Sequence, residues 1–272
     1  AVIDPKSDKY FVIFNQVEMY NSTRVDANHS FTFGNTKFVV DEFLPGGGGV
    51  HSSQALINSN EKNIMMLTRS NSNISFLHNG KFINKNKYYN ESYTGNQDLK
   101  TLIGTRIHQA KHWYYGSALT GKIHEYLVFE EELSEQELIK INHYLAKKWG
   151  LMDRVDSDGD GVVDANDSYP TNALKYTDAD FSTVVDEEID RESGLNSVKG
   201  NLKLWLDATN INNNNNSGID NNTTISKWID LSGNGTHYIQ NDNNKKPTYE
   251  KNGFNNNSTI EFTANQFLTN DN

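Results

Sequence analysis

The stretch from Gly121 to Phe129, GKIHEYLVF, decides the fold class. Apolar residues alternate along it, which predicts a β-strand with Ile123, Leu127 and Phe129 on one face. Shorter apolar runs between polar turns precede it at residues 10–14, 37–40, 64–67 and 73–83. The last run contains Asn79-Gly80, which suits a type I′ hairpin turn. Many short strands at this spacing indicate an all-β sandwich or jelly roll.

One short helix is predicted to follow this strand. Ser134 and Glu137 have the spacing of a capping box, which marks a helix start. The apolar stripe consists of Leu138, Ile141 and Leu145. Gly150 predicts the end of the helix, because glycine adopts the left-handed conformation of a helix cap at low cost. We therefore expect a β domain that is closed by one helix.

The bulk composition excludes several functions. Among 272 residues, 25 are Lys or Arg and 35 are Asp or Glu, which gives a net charge of −10. Binding to nucleic acid needs clustered basic residues, so we expect no nucleic-acid partner. The absence of cysteine excludes disulfides and thiolate metal sites, and it fits bacterial export. No apolar run approaches the ~20 residues that cross a bilayer, so we expect no membrane insertion.

The strand and the helix together resemble the end of a known family. Residues 121–129, the LSEQE of 133–137 and the YLAKKWGL of 144–151 are similar to the C-terminal part of bacterial laminin-G-like jelly-roll domains. Other stretches resemble the beginning of the same family. They are LWLDA at 204–208, WIDLSGNG at 228–235, PTY at 247–249 and IEF at 260–262. The resemblance implies an all-β, concanavalin A-like jelly-roll sandwich with one short C-terminal helix.

In this chain the family's ending precedes its beginning. We therefore expect residues 1–152 to be a laminin-G-like jelly roll that lacks its first strands. Residues 153–200 are expected to be an acidic calcium-binding linker, and residues 201–272 the N-terminal part of a second jelly roll. The first and last strands of a jelly roll lie close together, so residues 201–272 are expected to complete residues 1–152. This pairing occurs either within one chain or between neighbouring copies of the same domain, since unpaired edges favour aggregation.

The predicted linker contains the motif DSDGDGVVDAND at residues 156–167. Its spacing is that of a calcium loop, in which oxygen ligands at defined positions surround a hard cation and a glycine makes the sharp turn. The predicted ligands of the Ca²⁺ cofactor are Asp156, Asp158, Asp160, the Val162 carbonyl, Asp164 and Asp167. Asp167 replaces the usual bidentate Glu, which predicts weaker binding or ligation through one oxygen. The motif resembles the thrombospondin type 3 repeats between domains of bacterial surface proteins.

A degenerate copy of the loop follows further along the chain. Asp178, Asp180 and Asp186 match three ligands of the first loop, while two other ligands and the turn glycine are lost. These losses favour the absence of a second ion. A weak second metal site at the three aspartates is the alternative.

Two patterns are compatible with catalysis, and each has a simpler interpretation. Residues 188–192 read EIDRE, the E-x-D-x-E pattern of lichenase-type glucanases, but they lie in the linker without an aromatic strand around them. His108 and His112 have the spacing to share a helix face and hold zinc, but no third ligand lies between them. We therefore expect no catalytic residues. A glycan-cleaving enzyme, or an accessory module of one, is the alternative.

The densest aromatic cluster consists of His112, Trp113, Tyr114 and Tyr115. Aromatic faces stack on sugar rings in lectin-like sandwiches, although coverage of a core or an edge is the simpler interpretation. The sequence as a whole predicts a non-catalytic adhesion module of a secreted or cell-surface bacterial protein. Its expected partner is a carbohydrate or cell-surface glycan, and its calcium is structural. A purely structural spacer is a further alternative.

Overall fold

A computed structural model describes residues 2–5, 11–20, 24–34, 37–43, 50–52, 61–70, 73–87, 98–105, 119–174, 195, 199–263 and 265–270. Over these residues the chain forms antiparallel β-sheets and the helix α1 (Glu135–Trp149). The strands are β1 (Val2–Pro5), β2 (Phe11–Tyr20), β3 (Arg24–Gly34), β4 (Lys37–Phe43), β5 (Val50–Ser52), β6 (Asn63–Ser70), β7 (Asn73–His78), β8 (Lys81–Lys87), β9 (Asp98–Ile103), β10 (Gly121–Phe129), β11 (Leu202–Asp207), β12 (Lys227–Trp228), β13 (Tyr238–Ile239), β14 (Thr248–Phe254), β15 (Asn257–Phe262) and β16 (Leu268–Asn270). Within the described ranges, no helix is long and apolar enough to span a membrane.

The first sheet has the strand order β14-β15-β10-β1-β6-β7-β8. Strand β1 pairs with one edge of β10, while β15 and β11 pair end to end along its other edge. Strand β1 also joins β10 to the meander of β6, β7 and β8. The turn between β7 and β8 has φ values of 49° at Asn79 and 85° at Gly80, which confirms the predicted hairpin.

The second sheet has the order β12-β13-β16-β9-β2-β3-β4-β5, and its pairs are antiparallel. A core of buried side chains lies between the two sheets. Ile123 and Leu206 contribute to it from the first sheet, and Trp228 and Leu268 from the second; all four are fully buried. The structure therefore confirms a mostly antiparallel β fold in which two sheets share one core.

Helix α1 covers the opposite face of the first sheet. Its start is the predicted capping box, since the Glu137 N–H donates to Ser134 Oγ at 3.4 Å and the Ser134 N–H donates to Glu137 Oε2 at 2.7 Å. Gly150 ends the helix at a φ of 64°. Trp149 is fully buried and packs in one cluster with Leu127, which is partly buried on β10.

A β-bulge in β10 makes one prediction wrong. Ile123 lies in the core between the sheets, whereas Leu127 and Phe129 pack against the cluster under α1. The register explains the difference, because Ile3 pairs with Ile123 while Val2, which precedes it in β1, pairs with Glu125. His124 is therefore an extra residue in β10. It inverts the alternation of side chains in the part of the strand that follows.

Strands from residues 202–270 pair with strands from the first part of the chain in both sheets. Strands β11 and β15 pair with β10, and β16 pairs with β9. The strands beyond residue 200 thus contribute three members to each sheet. The division of the chain at residues 152 and 200, and the origin of the last part in a second jelly roll, stay predictions.

Candidate metal centre

The predicted calcium loop begins directly after α1, and its entry is packed against the helix. Val155 is fully buried and belongs to the same cluster as Trp149. The Val155 N–H donates to the carbonyl of Leu151 at 3.1 Å, just beyond the end of the helix. The first residues of the predicted linker are therefore part of the folded domain.

Asp164 is buried beside α1 and ties the loop to it. Its Oδ2 accepts hydrogen bonds from His143 Nδ1 at 2.9 Å and from Ser157 Oγ at 2.7 Å. Its Oδ1 accepts the Ser157 N–H at 2.7 Å. The structure thus gives this carboxylate an anchoring role, and its role as a metal ligand stays a prediction.

Asp156 sets the sharp turn of the loop. Its two carboxylate oxygens accept the backbone N–H groups of Gly159 at 2.8 Å and Gly161 at 3.0 Å. Gly161 has a φ of 100°, a conformation that residues with a Cβ adopt only with strain. The predicted turn glycine is therefore required by the backbone.

Three further aspartates share one arrangement, in which one oxygen serves the loop and the other has no partner. Oδ1 of Asp158 accepts a backbone N–H at 3.2 Å, that of Asp160 at 2.8 Å and that of Asp167 at 2.7 Å. Oδ2 of each is buried without a hydrogen-bond partner. These three atoms are among only seven such side-chain atoms in the described part of the chain, so the loop concentrates unsatisfied oxygens.

The electrostatics of the loop agree with this arrangement. Burial and the charges of Asp160, Asp167 and Asp156 together raise the pKa of Asp158 to about 6, against the lowering effect of a backbone hydrogen bond. Burial and neighbouring aspartates also raise the pKa of Asp167. Negative charges held this close repel one another, and a cation among them removes that cost.

The donor set fits a hard divalent cation. One ligand oxygen each from Asp156, Asp158 and Asp160 lies within 4.8 Å of the others. All the side-chain donors are oxygens, the ligand type that Ca²⁺ takes, whereas zinc sites in proteins rely on His and Cys. Val162 lies in the same turn, where its N–H donates to Asp160, and its carbonyl ligand stays a prediction.

The hairpin turn between β7 and β8 contacts the start of the loop. The Asp156 N–H donates to the Asn79 carbonyl at 3.4 Å. A Cβ placed on Gly80 would lie 2.0 Å from the Asp156 carbonyl oxygen, so only glycine allows this approach. The sequence indicated that Gly80 makes a turn, but it did not show that this turn supports the calcium loop.

A buried charge network on β10, α1 and β11 was missed from the sequence. Lys148 Nζ lies 2.9 Å from Glu125 Oε2 and 2.6 Å from Asp207 Oδ2. The side chains of the three residues are 4%, 0% and 7% exposed. Glu125 faces α1 because of the bulge in β10. The signal in the sequence for this network was an acidic residue within an otherwise apolar strand.

Three aromatic residues complete the network around Glu125. Tyr144 Oη donates to its Oε1 at 2.8 Å, Trp205 Nε1 to the same oxygen at 2.8 Å and Trp149 Nε1 to Oε2 at 2.7 Å. The carboxylate is therefore fixed by donors from two elements. A buried charge is tolerated when its oxygen atoms accept hydrogen bonds in this way.

Several predicted site residues lie outside the described residues. They are the aromatic cluster of His112, Trp113, Tyr114 and Tyr115, the second aspartate set of Asp178, Asp180 and Asp186, the EIDRE stretch at 188–192, and His108. Comparison with models of protein families and with curated protein sequences found no match to this chain. Of the predicted sites, the loop at residues 156–167 lies within the described residues.

Proposed function

We propose that residues 156–167 bind one Ca²⁺ ion and that the chain is a non-catalytic, calcium-stabilised β module of a secreted or cell-surface protein. The observation that carries the metal site is the set of three buried, unpartnered Oδ2 atoms on Asp158, Asp160 and Asp167. Unsatisfied buried acceptors are costly, and a cation with a preference for oxygen satisfies several at once.

Calcium is favoured over magnesium by the shape of the site. Magnesium needs a near-ideal octahedron and keeps several of its waters, whereas calcium accepts more ligands in irregular arrangements. Here each carboxylate is fixed by a backbone N–H, as in Asp160 and Asp167, so the ligands cannot rearrange into a small octahedron. We expect affinity in the range of about 10⁻⁴–10⁻³ M, as in extracellular modules.

Bound calcium stabilises the contacts that the loop makes with α1 and with the β7–β8 turn. The loop contacts the helix through Asp164 and His143, and the turn through Asp156 and Asn79. An ion that holds the aspartates together fixes both contacts. Calcium at about 100 times its dissociation constant would add about 2.7 kcal/mol to the free energy of unfolding.

The test is calcium titration calorimetry combined with thermal unfolding in calcium and in EDTA. Asp160→Asn removes one charged ligand, and Asp153→Asn is the matched control, since Asp153 is 68% exposed and precedes the loop. We expect Asp160→Asn to abolish measurable binding and the calcium-dependent rise in Tm, while Asp153→Asn retains both. Equal heats of binding for the two variants would contradict the site.

The wider role that we propose is adhesion through a jelly-roll module that recognises a carbohydrate or cell-surface glycan. Its support is the resemblance of residues 121–151 and 204–262 to laminin-G-like domains, together with the aromatic residues at 112–115. A glycan array probed with the wild-type chain and with Trp113→Ala, in calcium and in EDTA, tests it. No glycan binding by the wild type in calcium would leave a structural spacer as the role.

A further inference from the structure

The buried side chains of Lys148 and Asp207 bring an amine and a carboxyl group into contact. Lys148 Nζ lies 2.6 Å from Asp207 Oδ2. The other oxygen, Oδ1, accepts hydrogen bonds from the Thr209 N–H at 2.8 Å and from Thr209 Oγ at 2.7 Å. One oxygen of the carboxyl group is therefore held by two donors and the other lies against a nucleophile.

A second carboxylate lies beside the same amine. Glu125 Oε2 is 2.9 Å from Lys148 Nζ, within reach of a proton on that nitrogen. Tyr144, Trp149 and Trp205 donate to this carboxylate and keep it in place. A fixed proton acceptor next to an amine is the arrangement that general base catalysis requires.

We propose that Lys148 and Asp207 join through an isopeptide bond between their side chains, formed autocatalytically with Glu125 as the proton carrier. The product is an amide that links α1 covalently to the end of β11. This cross-link goes beyond calcium binding and does not depend on it.

The reaction is a condensation in which atoms and charge balance. A proton first passes from the Lys148 ammonium to Asp207 Oδ2, which leaves a neutral amine and a neutral carboxylic acid. The nitrogen lone pair attacks Cγ, and the π electrons move onto Oδ1, which Thr209 stabilises. Glu125 takes a proton from Nζ and returns it to Oδ2, the Cγ–Oδ2 bond breaks, and one water molecule leaves. Ammonium and carboxylate have become an amide and water, with no oxidant or reductant needed.

The surroundings favour this reaction. Burial favours the neutral amine that attacks, although the carboxylates of Glu125 and Asp207 outweigh it and hold the pKa of Lys148 above its ordinary value, so loss of the proton costs free energy. Low polarity lowers this cost, because a neutral amine and a neutral acid need less solvation than two ions. Groups held in contact within one molecule react with effective concentrations of about 10⁵–10⁸ M, which favours amide formation over hydrolysis.

The first test is the intact mass of the purified wild-type chain under denaturing conditions. We expect a mass lower than the sequence mass by one water molecule. Protease digestion should then yield a branched peptide in which Lys148 is joined to Asp207. An unmodified wild-type mass would overturn the proposal without any variant.

Three variants test which side chains take part in the reaction. Lys148→Arg keeps the positive charge but supplies no amine, so the full sequence mass should return. Lys147→Arg changes the neighbouring exposed lysine and should retain the loss of water. Glu125→Gln removes the proton acceptor, and the cross-linked fraction should fall at least tenfold.

A loss of water at another place is the outcome that must be separated from the cross-link. An aspartate followed by glycine, as in Asp160-Gly161, forms a backbone imide with the same change in mass. Hydroxylamine cleaves the imide and leaves an amide intact. A water loss that hydroxylamine removes, or that persists in Lys148→Arg, would overturn the proposal.

Discussion

Replacing Gly80 by alanine is expected to weaken calcium binding from outside the loop. Gly80 has a φ of 85°, and its Cβ would lie 2.0 Å from the Asp156 carbonyl oxygen. Ordinary carbon–oxygen contacts are about 3.3 Å or longer, so the hairpin and the loop must separate by more than about 1 Å. The separation displaces the first residue of the site.

The matched control is Gly235→Ala. Gly235 has a φ of 78°, so alanine meets a similar backbone cost there, but a Cβ would have nothing within 4 Å. That shared cost is about 1–2 kcal/mol. The overlap with Asp156 should add about 1–3 kcal/mol in Gly80→Ala, by analogy with overpacked cores.

Urea unfolding and calcium calorimetry on the two variants measure these terms. In EDTA the loop can move away and relieve part of the overlap. In calcium the loop must return to its bound shape, so the added 1–3 kcal/mol appears as about a five- to 150-fold loss of affinity. Equal calcium affinity in Gly80→Ala and Gly235→Ala would refute the reasoning that the hairpin supports the site.

Three further measurements follow from the structure. Calcium affinity should fall as the pH drops below about 6, because the pKa of Asp158 is about 6 in the free loop and its protonated carboxyl group is a poor ligand; calorimetry over this range checks it. His124 is fully buried, with neither ring nitrogen hydrogen-bonded, and burial together with two lysines holds its pKa well below 6.5. The unfolded chain therefore takes up the proton first, so stability is retained above pH 6.5 and falls below it by up to about 1.4 kcal/mol per pH unit. His124→Phe should flatten that part of a urea-unfolding pH profile. Asn216 is buried, accepts the Ile211 N–H at 2.6 Å and donates to the Ala208 carbonyl at 2.9 Å. Asn216→Ala should cost about 1–3 kcal/mol more in urea unfolding than Asn215→Ala, because Asn215 is exposed at a similar φ.

Features that depend on near neighbours could be predicted from the sequence. The capping box of Ser134 and Glu137 needs only residues of one helical turn, and the turn at Asn79-Gly80 needs only its own φ preferences. Both were confirmed. The spacing of the aspartates also indicated that Asp156, Asp158 and Asp160 would lie close together, since a short loop limits where they can point.

Features that depend on a partner strand could not be predicted in this way. The bulge in β10 exists because Val2 pairs with Glu125 while Ile3 pairs with Ile123, and no pattern within β10 records this pairing. The sequence therefore placed Ile123 and Leu127 on one face. The support of the calcium loop was hidden for the same reason, because His143 lies on the preceding helix and Gly80 on a distant hairpin.

The sharing of one edge of β10 by β11 and β15 restricts how the sheet can assemble. Strand β15 occupies the edge at Gly121–Ile123, and β11 continues it at Glu125–Phe129. Neither strand can slide by a two-residue step toward the other without a collision at His124. A slip away from it would remove pairs and carry Asp207 away from Lys148. Each strand therefore prevents the other from sliding along β10. Their positions depend on this steric exclusion as well as on the side-chain pattern.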